Sequence, residues 1–276
     1  AAGSGLPVFD SCIQSAPDGT PDVLMMPPAL SLEPPSLPLG WRERVVAMHR
    51  SGAVLASVCS GAFLLADTGL LNGVRVTTHW RHAQAFRHRC PAAHVDTNRL
   101  LVDTGQIITA GGVMAWTDLA LHLVQRFMGR KVMLDVAKMF VLDPPARDQR
   151  YYASFIPNLQ HADTDVIRVQ KSIQADPARE HSIASMTQTA LMSERNFLRR
   201  FKRATGFTPV AYLQHARVEA ARVALEMTRS SFDVISWQVG YSDPAAFRRL
   251  FKRVVGLSPS AYRRRFGAAS QATMTD

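Results

Sequence analysis

The chain has 276 residues, enough for two ordinary domains, and its 47% hydrophobic and 20% charged residues exclude a disordered or fibrous protein. The longest uncharged apolar stretch, residues 51–66, is too short and too polar to cross a membrane. The net charge of +10 is unevenly distributed: residues 1–163 hold 14 basic and 13 acidic side chains, whereas residues 164–267 hold 18 and 8. A basic domain of about a hundred residues is typical of a nucleic-acid-binding module.

The N-terminal half has the pattern of an α/β domain. Short apolar runs bounded by turn residues predict buried parallel strands at 22–27 and 53–58. Further strands are predicted at 74–77, 99–103 and 106–109, and helices at 41–49, 114–128 and 131–141. We therefore expect residues 1–143 to form one domain.

A small-residue turn follows the strand at 53–58 directly. Cys59, Ser60 and Gly61 lead into an apolar helix, which is the geometry of a nucleophile elbow. The N-terminus of that helix is expected to lower the pKa of the Cys59 thiol and favour a thiolate. His79, twenty residues further on, offers a base that could reach the cysteine. A buried, inert cysteine and a His-Trp pair that only packs are the alternative interpretation.

An internal repeat organises the C-terminal half. Residues 197–212 and 247–262 share nine of 16 positions at a shift of 50. Each copy predicts a helix with Phe at i and i+4, a glycine that ends it, and a Thr-Pro or Ser-Pro pair that begins the next helix. Short amphipathic helices are predicted ahead of the copies, at 183–190 and 233–239.

A short helix, a turn and an arginine-rich helix, twice over, predict a tandem helix-turn-helix. Residues 209–227 read as a rigid helix that joins the two motifs. The domain is assigned to residues 164–267, with a linker at 144–163 and a tail at 268–276.

The phenylalanine pairs fix which face of each arginine-rich helix is buried, so the opposite face is the candidate DNA surface. Arg can pair bidentately with guanine, Leu can contact a thymine methyl, and the later basic residues suit phosphates. The candidate DNA-binding residues are Arg195, Leu198, Arg199, Lys202 and Arg203 in the first copy, and Ala245, Arg248, Arg249 and Lys252 in the second.

Residues 164–267 resemble the DNA-binding domain of the AraC/XylS family, whose signature is close to VGYSDPAAFRRLFKRVVGLSPSAYRRRF at 239–266. The resemblance implies seven helices and two recognition helices in successive major grooves. It also implies that the first helix supplies more of the base readout, so Arg195 and Arg199 rank above Arg248 and Arg249. The arginines at 263–265 have no groove-facing role by this analogy and are assigned a general electrostatic one.

CSGAFLLADTGLLNGVRVTTHW, residues 59–80, resembles the ThiJ/PfpI domain, which is similar to class I glutamine amidotransferases. DTGQIITAGGVMAWTDLALHLV at 103–124 and DPPARDQRYYASF at 143–155 carry the likeness further. In particular, the chain resembles GlxA-type transcriptional regulators, in which this domain is fused to an AraC-type domain. The implied N-terminal fold is a flavodoxin-like parallel sheet.

Two departures from that family pattern bear on chemistry. The chain is expected to lack the first βα unit, and with it any acidic partner from that turn. Where the family usually has Gly-Gly near the elbow, this chain has Pro27-Pro28, and proline has no N–H to offer an oxyanion. We therefore expect Cys59, Ser60 and His79 to line a vestigial ligand pocket rather than a catalytic site.

The predicted function is sequence-specific transcriptional regulation through promoter DNA, with a homodimer, a possible small-molecule effector, and no metal, cofactor or membrane partner. Three cysteines without a CxxC pair favour a reduced, cytoplasmic protein. The predicted DNA binding makes it nucleoid-associated. Two alternatives stay open: a cysteine-dependent amidase or hydratase with a DNA-binding appendage, and a DNA-binding protein whose N-terminal domain only dimerises.

Overall fold

The computed structural model describes residues 21–29, 33–144 and 147–267. The chain divides into two compact units, Ala1–Arg147 and Asp148–Asp276. The domain and linker bounds expected from the sequence stay a prediction, and the tail at 268–276 lies outside the described residues.

The N-terminal unit is α/β. Its described strands are β1 (Val23–Met26), β2 (Val54–Val58), β3 (Arg75–Val76), β4 (His94–Val95), β5 (Leu101–Asp103) and β6 (Ile107–Ala110). Four of them form a sheet in the order β1-β2-β6-β5, and β3 and β4 pair separately. β1, β2 and β6 run parallel, which places Leu55 beside both Leu24 and Ile107. The predicted α/β class with a mainly parallel sheet is confirmed.

The edge strand β5 is antiparallel to β6. Three residues, 104–106, connect the two strands, with Gly105 at a φ of 95°. A parallel pair needs a crossover of a dozen or more residues, so this short connection permits only a hairpin.

Helices cover both faces of the sheet. The described helices of this unit are α1 (Trp41–Arg50), α2 (Gly61–Asp67), α3 (Ala83–Arg89), α4 (Ala115–Met128) and α5 (Arg130–Met139). Val45, Phe63 and Phe86 belong to the core on one face, and Ala115 and Leu119 to the core on the other. The end of β2, where Cys59 follows, therefore lies between two helical layers.

The C-terminal unit is helical. Its described helices are α6 (Thr164–Ala175), α7 (Ile183–Ala190), α8 (Glu194–Thr205), α9 (Pro209–Met227), α10 (Phe232–Gln238), α11 (Pro244–Val255) and α12 (Pro259–Phe266). We call α7 with α8 the first motif and α10 with α11 the second motif. Each motif has its own hydrophobic core, and α9 contributes to both, with Tyr212 in the first and Leu225 in the second.

The repeat seen in the sequence is a structural repeat. α8 and α11 both have 12 residues and end at glycines in the left-handed region, Gly206 at φ 79° and Gly256 at φ 86°. Thr208 and Ser258 then cap the following helices, each hydroxyl accepting a hydrogen bond from a backbone N–H at 3.2 Å. The predicted tandem helix-turn-helix is confirmed.

Among the described residues, none of the helices is both long enough and apolar enough for a membrane crossing.

Candidate functional site

The outward face of α8 is basic and exposed. Phe197 and Phe201 are fully buried and in edge-to-face contact, with ring centroids 5.4 Å apart. This pair fixes the rotation of the helix. All five residues of this helix predicted to bind DNA are exposed: Arg195, Leu198, Arg199, Lys202 and Arg203. Their assignment to DNA contact stays a prediction.

The outward face of α11 is built in the same way. Asp243 caps the helix, since its carboxylate accepts hydrogen bonds from the N–H groups of Ala245 (2.8 Å) and Ala246 (3.1 Å). Phe247 and Phe251 are fully buried. The four residues predicted on the opposite face are exposed: Ala245, Arg248, Arg249 and Lys252.

The two faces differ in how their arginines are held. Arg248 donates to Asp233 of α10 at 2.9 Å, and its guanidinium lies 5.4 Å from the Phe232 ring centroid. Arg199, which is equivalent to Arg249, donates at 3.0 Å to the neutral side chain of Asn196. Arg248 therefore has an acidic partner, whereas the side-chain partner of Arg199 is a neutral amide. Sequence reasoning missed Asp233, because a pair 15 residues apart has no local signal.

The arginines of α12 are not simply surface charge. Arg263 donates to the carbonyl of Ser230, and Arg265 donates to the Tyr152 hydroxyl at 2.7 Å. Both therefore bind elements of their own unit, and the purely electrostatic role expected for residues 263–265 is wrong for these two. Nothing in their sequence indicates these partners.

In the N-terminal unit, Cys59 lies at a strained turn between β2 and α2. Its φ is 55°, a left-handed conformation that is rare outside glycine, and its N–H donates to the Ala110 carbonyl at 2.7 Å. Gly61 is held against the end of β1, where an added Cβ would lie 2.3 Å from the Met26 carbonyl oxygen. This is the elbow geometry that the sequence predicts.

The chemistry of the Cys59 thiol differs from the expectation. Cys59 is only 5% exposed. Burial raises the pKa of the thiol, and the opposing backbone hydrogen bond at Ser60 is a smaller effect. The shift is therefore opposite in direction to the lowering expected from the sequence, because desolvation by burial outweighs the backbone hydrogen bond at Ser60.

His79 follows Thr78, which is bonded to the elbow, but the His79 ring contacts Arg81 and Trp80. Thr78 donates to the Cys59 carbonyl at 2.8 Å, which attaches this loop to the elbow. The Nδ1 atom of His79 accepts from the Arg81 N–H at 3.2 Å, and its ring stacks on Trp80. Burial, and then the charges of His82 and Arg81, lower the pKa of His79. Within the described ranges, no hydrogen bond joins the His79 ring to the Cys59 sulfur.

The Ser60 hydroxyl is committed to the loop after β1. It donates to the Ala29 carbonyl at 3.1 Å and accepts from the Ala29 N–H at 2.9 Å. Ser60 is nearly fully buried, so its role in this structure is to hold that loop. The assignment of Cys59, Ser60 and His79 to a ligand pocket stays a prediction. In residues 21–29, 33–144 and 147–267, no group of three or more potential ligands could hold a metal ion.

Comparison with known proteins agrees with the two-part architecture. Residues 8–126 match the DJ-1/PfpI family, and residues 186–265 match a helix-turn-helix domain family. The HTH-type transcriptional regulator GlxA of Rhizobium meliloti is 29% identical over 226 residues, covering 80% of this chain and 68% of GlxA. The HTH-type transcriptional regulator GbdR of Pseudomonas aeruginosa is 25% identical over 224 residues, covering 79% of this chain and 60% of GbdR.

This chain therefore spans 60% to 68% of the length of these two relatives. Among solved structures, the DNA-binding domain of the global transcriptional factor AdpA, in complex with a target DNA, is 30% identical. That match has a TM-score of 0.37 and covers 40% of this chain and 97% of the AdpA domain. The chain carries a DJ-1/PfpI-family domain followed by an AraC-type helix-turn-helix domain, the same architecture as GlxA and related HTH-type regulators.

Proposed function

We propose that the protein is a transcriptional regulator whose C-terminal unit binds double-stranded promoter DNA. The observation that carries the proposal is the pair of equivalent helices, α8 and α11, whose basic outward faces project from a domain that holds the chain's excess positive charge. A helix of this kind fits the major groove, which is about 12 Å wide.

On DNA, α8 and α11 enter successive major grooves on one face of the duplex, about 34 Å apart. Arg195 and Arg199 pair with guanine, and Leu198 contacts a thymine methyl. Lys202, Arg203 and Lys252 contact phosphates, which adds affinity without sequence information. The second motif, with Ala245 and a restrained Arg248, reads fewer bases.

The N-terminal unit acts as a sensing and dimerisation domain. A small-molecule effector near Cys59 regulates DNA binding by having unequal affinity for two states of the protein. The protein is not an enzyme, and it works in the cytoplasm at the nucleoid. The burial of Cys59, which raises the pKa of its thiol, and the hydrogen bond of His79 to Arg81 support the non-catalytic role.

DNA binding is tested by fluorescence anisotropy on duplexes from upstream of the protein's own and neighbouring genes, against random duplex, at two salt concentrations. We expect tight, sequence-dependent binding that weakens with salt, as counterion release requires. The double variant Arg195→Ala/Arg199→Ala should lose the preference. The double variant Lys131→Ala/Lys138→Ala, which removes two exposed lysines of the N-terminal unit, controls for the two lost charges. Equal, weak binding to every duplex would contradict the proposal.

The state of Cys59 is tested by alkylation with iodoacetamide between pH 6 and pH 9, read by peptide mass mapping with Cys59→Ser as the control. Because burial raises the pKa of the thiol, we expect slow labelling at neutral pH that accelerates toward pH 9. Rapid labelling at pH 7 would instead favour an enzyme. The proposed effector pocket is tested separately with Cys59→Ala and His79→Ala. A change in effector affinity of less than about twofold would contradict the assignment of these residues to the pocket.

A further inference from the structure

Residues 150–155, which we call the brace, lie along α9 within the segment that the sequence presents as a linker. At one end, the Phe155 N–H donates to Glu219 of α9 at 3.0 Å. The Phe155 ring meets Tyr212 edge-to-face at 5.0 Å and lies 5.8 Å from Phe207. This end of the brace therefore packs on the core of the first motif.

The other end of the brace reaches the core of the second motif and α12, which packs on it. The Tyr152 ring meets Phe266 of α12 edge-to-face at 5.6 Å, and its hydroxyl accepts from Arg265 at 2.7 Å. Arg150 lies against Gly256, the glycine that ends α11, where a Cβ would be 2.2 Å from the Arg150 Nε. The equivalent Gly206 has nothing within 4 Å of that position.

Arg222 of α9 ties the middle of the brace to the second core. Its guanidinium donates to the Tyr262 hydroxyl and to the Tyr151 carbonyl, both at 3.0 Å, and to the Ala153 carbonyl. The residue is only 6% exposed. A guanidinium has five N–H donors and cannot lose its charge, so buried in this way it needs acceptors. Two of those acceptors are brace carbonyls.

We propose that Arg222 and the brace fix the relative orientation of α8 and α11, so that both recognition helices fit successive grooves without further ordering. Arg222 and Tyr152 are then positioning residues for two-groove binding. The two cores share α9, and the brace, which contacts both cores, resists bending of that helix. Rigidity in the bound arrangement strengthens binding by removing the cost of ordering. The inference rests on the proposed DNA-binding function.

The test uses the full chain and a duplex selected in vitro from a random library by the wild-type protein. The quantity measured is the ratio of affinities for this duplex and for a version with the bases under the second motif scrambled. Arg222→Met and Tyr152→Ser should each reduce that ratio about tenfold, while affinity for the scrambled version changes less than about twofold. A purely structural loss would weaken binding to both duplexes alike.

Tyr262→Phe is the matched control, because it removes the Tyr262 hydroxyl that accepts from Arg222 and leaves the brace carbonyls in place. It should lower stability and keep the wild-type ratio. Tyr152 is partly exposed, so Tyr152→Ser should still fold. If circular dichroism shows that Arg222→Met does not fold, the ratio for Tyr152→Ser tests the inference. A wild-type ratio in Tyr152→Ser, or an equal fall in Tyr262→Phe, would overturn the inference. A wild-type protein that selects no duplex would instead overturn the proposed function.

Discussion

The first and second motifs are two copies of one scaffold with different surfaces. Both place a Phe pair in the core, end the recognition helix at a left-handed glycine and cap the next helix with a hydroxyl. On the outward face, Arg195 of the first motif is Ala245 in the second, and Leu198 is Arg248, which pairs with Asp233. The interior of each copy maintains the fold, and the copies have diverged at the exposed positions.

The largest effect should show that the two interiors are equivalent. Phe197 and Phe247 are fully buried at equivalent positions, so Phe197→Ala and Phe247→Ala should each lower the free energy of unfolding by about 3–5 kcal/mol. Urea denaturation of the full chain, followed by helical circular dichroism, measures both. A loss confined to one of the two sites would break the equivalence.

The tyrosines at the next repeat position should separate the two interiors. The Tyr262 hydroxyl bonds two charged side chains, donating to Glu226 and accepting from Arg222, whereas the Tyr212 hydroxyl accepts from the neutral amides of Gln170 and Gln174. Tyr262→Phe should cost about 1.5–3 kcal/mol and Tyr212→Phe about 1 kcal/mol. The same denaturation assay ranks them, and the reverse order would show that the charged pair adds nothing.

Much of this comparison could be predicted from the sequence, because its signals are local. The Phe pairs, the glycines and the Thr-Pro and Ser-Pro steps each act within one helical turn. The Arg248–Asp233 pair, the raised pKa of Cys59 and the packing of the brace depend on residues brought together by tertiary folding. The brace segment in particular has the Pro-rich start of a linker, and its contacts with Arg222 are about 70 residues away.

Substituting the equivalent arginines Arg199 and Arg249 should have different effects on the sequence preference of DNA binding. Arg199→Ala should cost about 1–3 kcal/mol in specific binding and relax the preference at one base, since a bidentate contact is lost. Arg249→Ala should weaken binding to all duplexes by a similar factor, as expected for a phosphate contact. Base-substituted duplexes titrated by anisotropy distinguish the two patterns. A uniform loss for Arg199→Ala would make that residue a phosphate contact as well.

The smallest effect concerns the acid that restrains Arg248. Both side chains of the Asp233–Arg248 pair are about half exposed, so the pair itself contributes about 0–1 kcal/mol. Asp233→Asn removes a negative charge beside the DNA face and should raise affinity for all duplexes a few-fold, with a steeper salt dependence. Asp135→Asn, which breaks the exposed pair with Lys131 in the N-terminal unit, is the matched control. Equal effects of the two variants would remove any special role for Asp233.

The division of labour between the motifs is tested most directly by two half-scrambled versions of the selected duplex, titrated with the wild-type protein at one salt concentration. Scrambling the bases under α8 should remove the proposed contacts of Arg195, Leu198 and Arg199, and scrambling those under α11 should remove fewer. We predict that the first change lowers affinity at least about tenfold more than the second. Equal losses, or a larger loss from the second half, would contradict the account.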